Sequence, residues 1–179
     1  MLVLLLLLFV LMATVTDVAR HRIYNWTTYP GILLGLAGQF WQSGWDGLQA
    51  GLLGFFVCGI IMLFCFVLFS IGGGDVKLIA MMGAFLGIHQ GVEAMLWTFI
   101  IGSVFGMAML IWNQGLAGIL GGTLKHLRLV VQARGWLPLT EEERKPLKRW
   151  LFLAPAALVA VCIVTAPELR RLAGGGQLL

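Results

Sequence analysis

Charge is what this sequence has least of. Aspartate, glutamate, lysine and arginine make up 11% of its 179 residues, against 60% hydrophobic. A soluble domain of this length cannot cover so much apolar surface with so few polar groups, which excludes an ordinary water-soluble fold. Cysteine is scarce too. Cys58, Cys65 and Cys162 each lie inside an apolar run; they form neither a disulfide framework nor a metal-ligand spacing, and read as small buried hydrophobes. Phosphate-binding loops are missing, since the triple glycine at 72–74 matches neither GxGxxG nor GxxxxGK[ST]. No internal repeat stands out, and low complexity is confined to the terminal GGGQLL. The first run, MLVLLLLLFVLMATVTD, lacks the basic n-region of a secretory signal. It reads as a retained membrane helix rather than a cleaved leader.

What the chain does have is apolar helix. An all-α integral membrane protein is expected, with the bilayer as one of its partners. Six runs, at about 1–17, 27–43, 48–70, 75–90, 92–112 and 149–167, form a single polytopic domain over 1–179. They are joined by DVARHRIYN, SGWDG, GGGD, HQGVE and a long connection from Asn113 to Lys148. Net charge is +4, and it bears on topology rather than on nucleic acid. With the N-terminus outside, Arg20, Arg22, Lys77, Lys125, Arg128, Arg134, Arg144, Lys145, Lys148 and Arg149 face the cytoplasm. That is ten of the twelve basic residues, and such a bias orients the helices. The connections after the first and third spans then lie on the cytoplasmic side.

Within the long connection, Leu124, Leu127, Val130 and Val131 share one helical face and Lys125, Arg128 and Gln132 the other. This is the pattern of a helix lying at the headgroups. Thr140 and Glu143 in TEEER form a capping box. Glycines at four-residue spacing (Gly31/Gly35, Gly47/Gly51, Gly83/Gly87, Gly102/Gly106) read as sites of close helix packing.

Of the eight acidic residues, most sit where water is expected: Asp46 and Glu93 in outer loops, Glu141 to Glu143 in a solvated stretch, Glu168 past the last span. Asp17 and Asp75 instead abut apolar runs, on the same side of the membrane. A carboxylate at that depth is costly and points to function. Helix capping accounts for Asp75, at a helix start where the dipole favours negative charge. It does not account for Asp17, at a helix end. Asp75 sits over Leu78, Ile79, Met82 and Leu86, and Asp17 over Val10, Ala13 and Thr14, so each has an apolar wall that strips away water. Brought together, two such acids would share one proton. One carboxylate would then serve as base toward water and the other as acid toward a carbonyl oxygen and a leaving amine. Gly72, Gly73 and Gly74 have no Cβ, so they let an extended peptide approach Asp75, or else act as a hinge.

GGGDVKL resembles the GxGD motif of intramembrane aspartyl proteases, with the following lysine typical of prepilin peptidases. DVARHRIYN resembles that family's first-aspartate motif, an aspartate followed by Arg-Ile-Pro-Asn, with Tyr24 where proline is usual. LAPAALVA, around Pro155, weakly resembles its last-helix segment. The resemblance implies Asp17 and Asp75 as the catalytic pair, Gly72 and Gly74 as the motif glycines, and Arg22, Ile23, Asn25 and Lys77 as positions that shape the site or hold substrate. Larger members carry a zinc-binding insertion with two CxxC pairs and an N-methyltransferase activity. This chain has no CxxC and resembles the short forms of tight-adherence pilus systems, with no cofactor implied. The implied reaction removes the basic leader of a type IV pilin-like precursor, in the cytoplasmic membrane of a bacterium or archaeon. Two other readings stay open: a small ion-coupled transporter using Asp17 and Asp75 as proton carriers, and a non-catalytic assembly partner of a secretion machine. The first lacks paired inverted halves and a helix interrupted at mid-membrane; the second leaves both aspartates without a use.

Overall fold

The computed structural model describes residues 1–20, 22–69, 72–132 and 153–174. Four helices follow in order: α1 Leu2–Arg20, α2 Asn25–Phe69, α3 Gly73–Gln132 and α4 Leu153–Gly174. All four contain segments long and apolar enough to cross a membrane. Helix is the expected solution, because a backbone in lipid must satisfy its own hydrogen bonds.

The length of α1 suits one crossing. Its 19 residues span about 28 Å at 1.5 Å per residue, close to the roughly 30 Å hydrocarbon core. At 45 residues, α2 is twice too long for one crossing, and its backbone breaks at Ser43 (φ −133°) and Gly44 (φ 60°, ψ −138°). Only glycine adopts that second conformation cheaply. The two arms, 25–42 and 45–69, fold against each other: a methyl group added at Gly51 would stand 3.2 Å from Leu36 Cδ2 and 3.3 Å from Gln39 Cγ. In a straight helix residues 36 and 51 would be about 22 Å apart.

A second reversal lies inside α3, at Gly87 (φ 74°). A methyl at Gly91 would stand 3.0 Å from Gly83 Cα, where a straight helix would separate them by about 12 Å. Such a break frees backbone groups that lipid cannot satisfy, and neighbouring side chains must do so. Gln39 Nε2 donates to the Phe85 carbonyl at 2.5 Å, two residues before the break at Gly87. Gly54 packs directly onto Gly83, backbone against backbone.

The arm that begins at Asp75 is the centre of the bundle. Every residue from Leu78 to Phe85 is buried, and a helix apolar all round belongs inside. Around it, α1 contributes Leu6, Val10 and Ala13, α2 contributes Cys58 and Met62, and α4 contributes Ala154, Ala157 and Val161. The opposite face of α1, with Leu4, Leu8, Leu11 and Val15, is exposed and suits lipid contact. Thr14 Oγ1 donates to the Val10 carbonyl at 2.8 Å and to the Ala154 carbonyl at 3.1 Å, tying α1 to α4.

Residues Met1–Ile101 and Phe152–Leu179 form one compact unit, and Gly102–Leu151 a second. In the second unit α3 continues to Gln132, so the amphipathic segment from Leu124 is helical. Thr140, Glu143 and the rest of TEEER lie outside the described residues. Of the paired glycines, Gly31, Gly35, Gly47, Gly51 and Gly83 all face close neighbours, whereas Gly106 meets nothing within 4 Å among the described residues.

Candidate active site

Asp17 ends a stripe on α1. Val3, Leu6, Val10, Ala13 and Asp17 recur three and four residues apart and are the buried residues of that helix, as a single helical face requires. The carboxylate is therefore carried on the same face as the core, at 9% exposure. Asp75 lies in the first turn of α3 and is half-buried. Its backbone N–H donates to the Gly72 carbonyl at 3.1 Å. A methyl at Gly72 would stand 2.8 Å from Asp75 Oδ2, so glycine keeps that approach to the carboxylate open. Asp17 and Asp75 are close enough that Asp75 feels the charge of Asp17. Two acids 58 positions apart in the sequence thus share one electrostatic environment.

The two connections that carry the acids interlock. Ile23 covers Gly74, where an added methyl would stand 3.0 Å from Ile23 Cβ and 3.5 Å from the Ile23 carbonyl oxygen. Lys77 Nζ donates to Asn25 Oδ1 at 2.7 Å and stands 5.1 Å from the centre of the Tyr29 ring, within cation–π range. Arg20 Nη1 donates to Tyr24 Oη at 3.1 Å. The Tyr24 carbonyl accepts from the N–H groups of Thr27 and Thr28 at 3.0 and 3.4 Å, which starts α2. Ile23, Tyr24 and Asn25 are thus held by three different elements, while Arg22 is exposed. The glycines divide in role: Gly72 and Gly73 are exposed, and the open side of Gly74 is taken by Ile23.

Two contacts near the site leave no mark in the sequence. The Arg20–Tyr24 pair replaces the stiffness of a proline with a hydrogen bond, and only the residue type at 24 hints at it. Thr14 lies one turn from Asp17 and bonds to Ala154, beside Pro155. A threonine hydroxyl that meets a carbonyl 140 positions away shows no local pattern. Among the described residues no group of three His, Cys, Asp or Glu side chains is placed to hold a metal ion.

Helices long and apolar enough to cross a membrane, which bury one carboxylate and carry a second under two interlocked connections, define a membrane protein with a candidate acid site. The sequence profile of the type IV leader peptidase family matches residues 4–111, well over half of the chain, and the protein belongs to that family. Membership indicates a protease, and the apolar helices fit a membrane protein. The matched region contains both acids and both connections, and α4 lies beyond it. No curated protein and no solved structure matches the chain.

Proposed function

We propose that the protein is an aspartyl endopeptidase that removes the basic leader of a type IV pilin-like precursor, with Asp17 and Asp75 sharing the proton that the reaction moves. The observation that best supports this reading is that Asp17 lies within electrostatic reach of Asp75, in a chain of the leader peptidase family. Like charges held close favour a singly protonated pair. The ionised member takes a proton from water, whose oxygen adds to the carbonyl carbon of the scissile peptide. The protonated member gives its proton to the carbonyl oxygen, and the leaving amine then receives a proton as the C–N bond breaks. The reaction consumes one water and needs neither metal nor cofactor.

Gly72 and Gly73 give an extended peptide its approach, and Gly74 seats Ile23. Asn25 and Lys77 hold the two connections in register, and Arg22 faces the aqueous side where the leader lies. The two reversals support a six-span arrangement, with α2 and the first part of α3 each read as a hairpin of two crossings. With the N-terminus outside, the site lies at the cytoplasmic face of a bacterial or archaeal cytoplasmic membrane, where water reaches it. Transport coupled to Asp17 and Asp75 finds no support in the family.

The test co-expresses a candidate precursor with the wild-type chain, Asp17→Asn or Asp75→Asn, and reads the mobility shift on leader removal. Each substitution is expected to abolish processing while the protein still inserts. Undiminished processing by both variants would sink the assignment.

A further inference from the structure

We propose that a cleft between α2 and α3 receives the apolar helix of the precursor, in the stretch immediately beyond the bond that is cut. This rests on the leader peptidase reading above. The cleft, about 230 Å³, is lined by Tyr29 and Ile32 on the first arm of α2, by Phe56, Ile60 and Leu63 on the second, and by Lys77 on α3.

Position argues for this occupant. Val76 and Lys77, the two residues after Asp75, form one end of the cleft, and Ala80, one turn further along the same helix, lines its wall. A peptide cut beside Asp75 that then enters the bilayer meets this surface next. The other cavity, lined by Leu2, Gln39, Gln42, Gln90 and Glu168, lies at the far end of α1, about 22 Å along that helix from Asp17. It is also polar where a membrane segment is not.

Chemistry argues the same way. Lys77 and Tyr29 meet at the cleft, the Lys77 amine close over the Tyr29 ring, but their polar atoms contribute almost nothing to its surface. The rest of the wall is hydrocarbon. A cleft beside Asp75 whose wall is almost wholly apolar suits the hydrophobic stretch of a chain that has just left an aqueous leader. Its size fits side chains rather than a whole helix: an apolar cavity of roughly 150 Å³ admits benzene, so this one takes one or two large residues. The missing side chain at Gly59 makes the space, since a methyl there would already stand 3.4 Å from Ala80 Cβ. Ile60 and Phe56 are 62% and 55% exposed, so the cleft opens toward the bilayer and a membrane segment can enter sideways.

A photo-crosslinking residue at position 60, in the Asp75→Asn chain co-expressed with the precursor, tests the assignment, with position 8 on the exposed face of α1 as control. The expected result is a crosslink to the precursor at least tenfold stronger from position 60 than from position 8. Crosslinks only to lipid, only to a second copy of the chain, or equally from both positions would overturn it. In the active chain, Gly59→Leu is expected to raise KM for full-length precursor at least tenfold relative to Gly59→Ala. If the wild type cleaves and Gly59→Leu cleaves equally well, the cleft is not the docking site and the peptidase reading survives. A wild-type chain that cleaves no precursor overturns the peptidase reading instead. Should Gly59→Leu fail to fold, the crosslink decides alone.

Discussion

Asp17 and Asp75 stand out in the sequence as candidates because a carboxylate beside lipid is expensive and has few innocent explanations. What holds them was not legible. Lys77 reads from sequence as a headgroup anchor as readily as a motif residue, yet its amine bonds Asn25 across the two connections. That bond predicts a coupled pair. Lys77→Met and Asn25→Ala are each expected to slow leader removal about tenfold, the effect of losing one charge-assisted hydrogen bond near 1.5 kcal/mol. The double variant should be no slower than the worse single one, because both remove the same contact. Cleavage rates of the three chains, measured side by side, check this; additive losses would mean that the two side chains act separately. The tyrosine at position 24 follows the same lesson. Sequence marks it as a departure, whereas the structure shows Arg20 bonded to its hydroxyl.

The apolar runs predicted an all-helical chain with helices long enough to cross a membrane, since a stretch of about 20 hydrophobic residues has one stable form in lipid. That α3 runs on to Gln132 was not read from them. The means of reversal was less visible. Glycine occurs 24 times, and nothing in the composition singles out Gly44 and Gly87 as the two that, among the described residues, have positive φ. The paired glycines show the same limit, for Gly83 lies against the backbone of Gly54 while Gly106 faces open space among the described residues. Gly54→Val is therefore expected to destabilise the protein by about 1–3 kcal/mol, the usual range for overpacking, because a backbone neighbour cannot swing aside. Gly106→Val should change little. Thermal unfolding in detergent compares them, and equal losses would refute the close Gly54–Gly83 approach. Gln39→Leu tests the other support of the reversal. It leaves the Phe85 carbonyl without its side-chain donor, a loss of roughly 1–2 kcal/mol in a membrane interior, visible in the same assay.

Orientation belongs to the molecule as a whole, and it rests on the distribution of lysine and arginine rather than on any contact. Cysteine substituted for Arg22 should react with a membrane-impermeant thiol reagent only from the cytoplasmic side. Cysteine substituted for Trp45, an exposed residue beside the α2 break, should react only from the outside. The reverse pattern would invert the topology and put the acid pair on the wrong face for a leader. The tie from Thr14 to Ala154 carries a consequence for how such a protein comes into being. At roughly 5–20 residues per second, the ribosome takes several seconds to make the eighty or so residues between Asp75 and Ala154. Through that interval the helix bearing Asp17 lacks the neighbour that locks it. A half-made chain beside the translocon therefore has the two connections that carry Asp17 and Asp75 before it has the helix to which Thr14 bonds, and the bundle closes only when translation is nearly done.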